Sequence, residues 1–233
     1  MNTARFAAMA AVLSIVPAAT AAISLPFFDD FDDGSTVDAP TSGLNLAVGG
    51  GADAGTTLTL EESGGSLNFT DTSNSGNLTA TGQFDPRNDV VLTANITTTA
   101  VNKAALRVRS GTTDAAFIQL INNQKTVSVF HEDAGGTDTT TSFTNQFVDG
   151  TPFDVSLRLD AAADTFEVLV GGSSLGSFPL RNGVASIDRI QIDTLSGNST
   201  FSVNSLEVTA IPEPASVGAV MAAGLLLTRR RSV

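Results

Sequence analysis

The sequence predicts an all-β domain in which two antiparallel sheets pack as a sandwich. Apolar and polar residues alternate with a period of two through most of residues 22–210, and no stretch there shows a convincing helical period. Gly, Asn and Asp interrupt this alternation about every eight to twelve residues, which is typical of sandwiches and barrels. The roughly twelve strands predicted in this way favour a two-sheet jelly roll over a seven-stranded immunoglobulin domain.

The clearest strand runs from Phe153 to Asp160, where Phe, Val and Leu alternate with Asp, Ser and Arg. A turn over residues 161–164 leads into a returning strand from Phe166 to Val170. Gly171-Gly172 supplies the next turn, and a third strand runs from Ser174 to Leu180.

Nine further segments show the same alternation. Two of them flank the turn at residues 122–125 and are predicted to form a hairpin. The last two each change parity once, which predicts a β-bulge in each. The nine predicted strands are Leu58–Glu62, Leu67–Asp71, Leu78–Phe84, Val90–Thr97, Ala104–Arg109, Ala116–Ile121, Thr126–Phe130, Ile187–Ile192 and Phe201–Val208.

The composition excludes several kinds of site. The 233 residues include no Cys, Trp or Tyr and a single His, which excludes disulfides, cysteine-based metal or catalytic sites and multi-histidine metal centres. The net charge of −12 excludes nucleic acid as a partner, because phosphate contacts need a basic surface. Residues 22–210 hold 23 acidic and 8 basic residues and are long enough to bury one substantial core.

Residues 1–21 have the features of a secretory signal peptide. Arg5 supplies the positive charge, and the apolar run from Phe6 to Val16 is too short to span a membrane. Ala19-Thr20-Ala21 is a small-residue cleavage site, so we expect export through the secretion translocon and cleavage after Ala21. The alternative is a short amphipathic first helix.

Residues 211–233 have the order of a short removable membrane anchor. Pro212, Glu213 and Pro214 precede an apolar run that ends at Leu227, and Arg229, Arg230 and Arg231 follow. A helix over residues 215–227 would be about 20 Å long, against about 30 Å for the hydrocarbon core. The arginines are expected to stay cytoplasmic, which leaves the rest of the chain outside.

This tail resembles the PEP-CTERM sorting signal of Gram-negative bacteria through its Pro212-Glu213-Pro214 triplet, apolar helix and Arg cluster. The resemblance implies transient anchoring in the inner membrane and cleavage near the triplet by an exosortase, a membrane transpeptidase. Proteins with this signal are mostly exported by organisms that make exopolysaccharide and biofilm. The resemblance covers about the last 23 residues and implies nothing about the domain before them; the alternative is a chance tail anchor.

The domain resembles the concanavalin A-like and laminin G-like jelly rolls. The resemblance is carried by the opening segment Phe27-Phe28-Asp29-Asp30-Phe31-Asp32-Asp33-Gly34, by the hairpin from Asp154 to Gly171, and by the closing strand at Phe201–Val208. It implies that the first and last strands pair. These motifs are degenerate, so they support a fold and not an activity.

A structural calcium ion is the one cofactor that the sequence suggests. Asp29, Asp30, Asp32 and Asp33 offer the hard oxygen ligands that Ca²⁺ prefers, and related jelly rolls often hold calcium near this strand. We expect Asp30 and Asp33 to be the ligands. The alternative is a solvated acidic edge, where charge prevents pairing between sheets.

Glycan binding is an obvious use of a jelly roll, but the usual aromatic platforms of Trp and Tyr are absent. Arg107 and Arg109 share one strand face, opposite in phase to Leu106 and Val108. They could pair with uronic acid or phosphate groups of an anionic polysaccharide. The alternative is a solvated face balanced by nearby acids.

Support for catalysis is weak. The Glu-x-Asp-x-x-Glu strand that retaining jelly-roll glucanases share is absent, and Glu61, Glu62, Glu132 and Glu167 have no suitably placed second carboxylate in the sequence. Carboxylates from distant strands could still converge. His131 has the parity of a structural residue at a strand end.

These observations predict an exported, non-enzymatic protein that is a structural or adhesive component of the cell envelope or extracellular matrix. One alternative is lectin-like binding of the host's exopolysaccharide, which a polar or basic groove would favour. The other is a polysaccharide-degrading enzyme, which two carboxylates about 5–9 Å apart in a cleft would favour.

Overall fold

The computed structural model describes residues 22–32, 44–50, 55–101, 103–195 and 198–211, and these form two antiparallel sheets. One sheet has the strand order β13-β12-β11-β6-β15-β4-β3, with β1 added beside β15. The other has the order β10-β9-β8-β7-β14-β5-β2. The strands are β1 (Phe27–Asp29), β2 (Asn45–Gly49), β3 (Leu58–Glu62), β4 (Leu67–Asp71), β5 (Asn77–Arg87), β6 (Asp89–Val101), β7 (Ala104–Ser110), β8 (Thr113–Ile121), β9 (Thr126–Glu132), β10 (Asp138–Phe143), β11 (Phe153–Asp160), β12 (Thr165–Val170), β13 (Ser173–Pro179), β14 (Ile187–Asp193) and β15 (Ser199–Ala210).

All twelve strands predicted from alternation are present, and both expected bulges are confirmed as register shifts in β14 and β15. The alternation missed three strands: the three-residue β1, and β2 and β10, which are the two edge strands of the seven-stranded sheet. Neither β2 nor β10 buries a continuous face, and β10 consists mainly of Asp, Thr and Ser. Edge strands are kept polar or short because an apolar edge would pair with other chains, so they lack the pattern that reveals central strands.

β15 joins three other strands. It pairs with β6 along its length, with β4 over its first half and with β1 over its second half, so the first and last strands pair as the resemblance implies. Asn204 occupies the bulge in β15, and its amide donates to Asn95 Oδ1 at 2.8 Å and Thr97 Oγ1 at 2.9 Å. Its own Oδ1 accepts from Ser66 at 3.0 Å. The bulge thus directs one side chain both to β6 and to Ser66, the residue just before β4, and helps to fix the register.

The inner faces of the two sheets form one continuous apolar core. Phe69 of β4 and Phe201 of β15 stack with ring centroids 4.5 Å apart, and both rings are almost fully buried. The two rings lie directly opposite each other in the strand pairing, so their contact reinforces the hydrogen-bond register.

The expected terminal helices lie outside the described residues. The same holds for the predicted signal peptide with its cleavage residue Ala21, for the sorting triplet Pro212, Glu213 and Pro214, and for Arg229, Arg230 and Arg231. The described part of the chain has no helix with the length and hydrophobicity that membrane spanning requires.

The buried aromatic pair gives a test of the core. Phe201→Ala should lower the free energy of unfolding by about 3–5 kcal/mol, because it leaves a cavity beside Phe69. Phe28→Ala is the control, since Phe28 is 63% exposed and its loss should change stability by about 0.5 kcal/mol or less. Urea denaturation of both variants measures the difference, and equal losses would contradict this account of the core.

Candidate functional site

The outer face of the seven-stranded sheet is the candidate site. Leu106 and Val108 of β7, and Ile190 and Ile192 of β14, point into the core, so the residues between them point outward. The strand register brings polar and aromatic residues of five strands together on this outer surface. We call it the polar face, and it comprises Thr81, Arg107, Arg109, Asp114, Phe117, Gln119, Phe130, Arg189, Gln191 and Asp193.

Arg107 is the centre of an ion network on the polar face. Its Nη1 lies 2.8 Å from Asp114 Oδ2, and its Nε lies 2.9 Å from Asp193 Oδ2. The guanidinium also covers the ring of Phe117 at 4.4 Å, and Phe117 stacks on Phe130 with centroids 4.4 Å apart. Since Arg107 and Phe130 flank Phe117 on opposite strands, both faces of that ring are covered. Phe117 therefore offers no open ring face to a sugar.

Asp193 is the most deeply buried charge on the polar face, with a side chain only 1% exposed. Besides Arg107, its carboxylate accepts hydrogen bonds from Gln191 Nε2 at 2.9 Å and from the backbone N–H of Leu195 at 3.0 Å. Burial raises the pKa of Asp193, although these three donors act in the opposite direction. Arg107 is thus required to hold a carboxylate that the protein interior would otherwise neutralise.

A bulge in β8 places Asp114 on the polar face. Val108 pairs with Ala116 and Arg109 pairs with Asp114, so Ala115 is the extra residue. Ala115 and Ala116 are both fully buried, and Asp114 turns outward to face Arg109, with its Oδ1 2.9 Å from Arg109 Nε. The N–H of that nitrogen does not point at the oxygen, so the contact is ionic without being a hydrogen bond. The bulge creates the acidic side of the network.

Arg181 extends the network beyond β8. Its backbone N–H donates to the carbonyl of the bulge residue Ala115 at 2.8 Å, and its Nη1 lies 3.7 Å from Asp114. The same guanidinium donates two hydrogen bonds to Asp138, at 3.0 and 2.6 Å. These bonds lower the pKa of Asp138, which is exposed and remains ionised. Arg107, Arg109 and Arg181 are therefore all matched by carboxylates.

Arg189 differs from these three arginines. It lies directly opposite Arg109 in the pairing of β14 with β7, and opposite Gln83 on the β5 side. Its Nε is buried and has no hydrogen-bond partner among the described residues. No carboxylate of the described structure forms an ion pair with it.

The sequence suggests Arg107 and Arg109 as partners for anionic sugar groups, and the structure shows which residues they contact. Arg107 and Arg109 do share one outward face, as the phase of β7 predicts. Arg107 forms ion pairs with Asp114 and Asp193. Its charge is therefore balanced by nearby acids, which is the alternative that the sequence analysis gave. Arg109 donates to Gln191 at 2.6 Å and to the carbonyl of Thr112.

The proposed calcium ligands are only partly described. Asp30 is exposed at the end of β1, and Asp33 lies outside the described residues. Asp29 faces inward, where its Oδ1 accepts the N–H of Phe31 at 2.8 Å. Within the described ranges, no group of three or more acidic or histidine side chains is arranged to hold a metal ion. Calcium binding at Asp30 and Asp33 stays a prediction.

His131 is held on both ring nitrogens. Nδ1 lies 2.8 Å from the carbonyl of Glu132 and Nε2 lies 2.9 Å from Thr141 Oγ1. Nδ1 must donate to the carbonyl, because a carbonyl oxygen only accepts. The ring also packs against Phe178, with centroids 4.9 Å apart. These contacts fit the structural role expected from its parity.

Sequence reasoning missed Arg189, Phe117 and Phe130 as residues of the face. Arg189 follows the bulge in β14, where the parity that would assign its side chain is interrupted. Phe117 lies in an uninterrupted apolar run in β8, which gives no sign of which side faces out. In β9, the outward phase of Phe130 relative to Val127 and Val129 was a usable signal.

Comparison with known proteins identifies the fold. No protein-family model and no curated protein matches the sequence. Among solved structures, a protein of unknown function with a galectin-like fold from Bacillus subtilis is 8% identical, with a TM-score of 0.55 over 82% of this chain and 97% of that one. A β-glucanase from Bacillus licheniformis is 12% identical, with a TM-score of 0.52 over 80% of this chain and 98% of the enzyme.

A sialidase is also similar, at 11% identity and a TM-score of 0.56 over 71% of this chain. The matched region spans 17% of the sialidase, so it corresponds to one part of that longer protein. At such identities the likeness concerns the fold alone. The chain is therefore a jelly-roll β-sandwich of the kind found in galectin-like proteins and glucanases.

The ion network predicts a pH-dependent loss of stability in Arg107→Gln. Removing Arg107 leaves Asp193 buried without its cation, which should cost about 3–5 kcal/mol near neutral pH. Because the pKa of Asp193 is raised, the folded protein keeps the proton of this carboxyl group to higher pH than the unfolded chain does. The contribution of Asp193 to the free energy of unfolding therefore falls as pH rises above the ordinary pKa of 3.8. Without Arg107 this loss of stability with rising pH should be larger. The stability of Arg107→Gln should therefore lie closer to that of the wild type at pH 4 than at pH 8.

Arg158→Gln is the matched control for this change. Arg158 is 55% exposed on the other sheet and lies 3.7 Å from Glu167, so its loss should change stability by about 0.5 kcal/mol or less. Denaturant unfolding between pH 4 and pH 8 measures all three proteins. A deficit in Arg107→Gln that does not vary with pH would contradict the role given to Asp193.

Proposed function

We propose that the protein is an exported, non-enzymatic, lectin-like component of the extracellular polysaccharide matrix. The observation that carries the proposal is the polar face, where side chains of β7, β8 and β14 are held in fixed positions by hydrogen bonds and ion pairs. Fixed donors and acceptors on rigid strands suit the recognition of hydroxyl-rich ligands, because little conformational entropy is lost on binding.

Adhesion through glycans is consistent with the rest of the surface. With 23 acidic and 8 basic residues between positions 22 and 210, the domain is strongly acidic, which favours solubility outside the cell. Four of those eight basic residues, Arg107, Arg109, Arg181 and Arg189, lie on or beside the polar face. Its similarity in fold to a β-glucanase and to a protein with a galectin-like fold supports the proposal of glycan binding.

The carboxylates of the polar face support binding better than hydrolysis. Glycoside hydrolysis needs one carboxylic acid and one carboxylate that both reach the substrate. Asp114 and Asp193 each contact Arg107, and Asp193 is sealed from solvent. Two carboxylates held by one guanidinium are suited to positioning that cation, so we do not propose a hydrolase.

Export is the second part of the proposal. The signal peptide at residues 1–21 would direct the chain across the inner membrane, and the tail at residues 211–233 would anchor it until an exosortase cuts near Pro212-Glu213-Pro214. The domain at residues 22–210 would then lie at the cell surface or in the matrix. A calcium ion at Asp30 and Asp33 would stabilise the opening strand.

Glycan binding can be tested by blocking the polar face. Thr81 is half-buried between Gln191 of β14 and Asn45 of β2, so Thr81→Phe adds bulk to the face without a loss of strand propensity. It should weaken binding to exopolysaccharide about tenfold or more in affinity electrophoresis. Thr209→Phe makes the same change on the other sheet and should bind within about twofold of the wild type.

The binding assay is run with calcium and with a chelator. Dependence on calcium that Asp30→Asn abolishes would support the predicted metal site. Equal binding by both Phe variants would contradict the assignment of the polar face. A lack of binding to any polysaccharide would instead favour a scaffold role with protein partners.

Processing is tested by the termini of the mature protein. Mass spectrometry of protein recovered from the host's matrix should find Ala22 at the N-terminus and a C-terminus near Pro212–Pro214. Deletion of the host's exosortase should leave the tail attached. A mature chain that still ends at Val233 in the wild-type host would rule out the proposed cleavage.

A further inference from the structure

We infer that Arg189, together with Arg109, forms a subsite for an anionic substituent of the bound glycan. The inference deepens the proposed function, since it names the class of polysaccharide: one that carries carboxylate or sulfate groups. It rests on a pair of like charges on the polar face, of which only one is neutralised by the protein.

Arg109 and Arg189 are neighbours on the polar face. They lie directly opposite each other on β7 and β14, and both point outward. Side chains at such positions have Cβ atoms about 4.5–5.5 Å apart, and like charges placed there destabilise the sheet. Arg109 has Asp114 beside it, at 2.9 Å. That single carboxylate is shared with Arg107, so the pair keeps a positive excess.

The other basic residues each have an acidic partner or are exposed to water. Arg107, Arg109, Lys125, Arg158 and Arg181 each lie within 4.0 Å of a carboxylate. Arg87 and Lys103 have no ion pair in the described structure, but both are exposed to water. Arg189 is half-buried, has no ion pair in the described structure, and its buried Nε has no hydrogen-bond partner there.

This arrangement is not explained by a shortage of acids. Residues 22–210 hold 23 acidic residues against 8 basic ones, so acidic residues greatly outnumber the basic residues that need a partner. An arginine kept half-buried without one costs stability, because its buried Nε loses water and gains no acceptor in return. The cost is recovered when a ligand anion supplies the missing partner.

The chemistry of the partner follows from the guanidinium group. Arginine presents N–H donors in a planar fork that matches the two oxygens of a carboxylate or sulfate. Gln191 accepts from Arg109 at 2.6 Å and holds that side chain in place, so the second arginine is already oriented. Neutral sugars offer hydroxyl groups alone and would leave the charge of Arg189 unpaired.

The test compares Arg189→Gln with Arg158→Gln, which removes the same charge from the outer face of the other sheet. The full protein is titrated with polygalacturonate, dextran sulfate and neutral dextran at 0.15 M ionic strength. We expect the wild type to prefer the two polyanions, and Arg189→Gln to bind them about tenfold more weakly or worse. Arg158→Gln should bind within about twofold of the wild type. The preferred polyanion distinguishes carboxylate from sulfate.

A second measurement separates a ligand site from a structural residue. Arg189→Gln relieves the repulsion with Arg109, so it should melt no lower than the wild type, whereas a structural arginine would lower the melting temperature. Sodium sulfate, compared with sodium chloride of equal ionic strength, should stabilise the wild type and Arg158→Gln more than Arg189→Gln. Any general salt effect is common to the three proteins.

The outcomes distinguish this inference from the proposed function. Binding of neutral and acidic glycans with equal affinity, unchanged in Arg189→Gln, would overturn the subsite and leave the lectin-like function standing. Absence of all glycan binding, with an equal response of the three proteins to sulfate, would overturn both. Loss of polyanion binding together with a lowered melting temperature in Arg189→Gln would also overturn the subsite.

Discussion

The pairing of β15 with β6 is the constraint on which the eight-stranded sheet depends. β15 is the strand through which β4, β3 and β1 are attached to β6, β11, β12 and β13. Its bulge at Asn204 is closed by hydrogen bonds to β6 and to Ser66 just before β4, so one side chain acts on the register on either side. Loss of this strand would detach β1 and separate β4 and β3 from β6, β11, β12 and β13.

The seven-stranded sheet combines a uniform inner face with an unusual outer one. Its inner face is filled by aliphatic residues, while its outer face buries an aspartate under an arginine. The extra residue in β8 links the two faces, because Ala115 and Ala116 both turn inward and Asp114 is thereby turned outward. One inserted residue thus satisfies the core and supplies a carboxylate for three arginines.

The fold could be predicted from the sequence because its central strands bury one face each. The alternation in β11 or β4 directly reports the burial of every second side chain. The candidate site could be predicted only in part. The phase of β7 revealed that Arg107 and Arg109 point outward, but their partners come from β8 and β14, where bulges interrupt the phase. Which arginine lacks a carboxylate depends on contacts between strands distant in sequence, and a single sequence does not encode these in a readable pattern.

The placement of β1 has a mechanical consequence. Phe27 pairs with Val208 and Asp29 with Leu206, so the two chain ends leave this short ladder at the same end. In a chain held at one end and pulled at the other, the force would open the ladder one hydrogen bond at a time, since those bonds lie across the strands. β1 would detach before the long pairing of β15 with β6 is loaded. The second half of β15 would then be an open edge that can accept a strand from a neighbouring molecule.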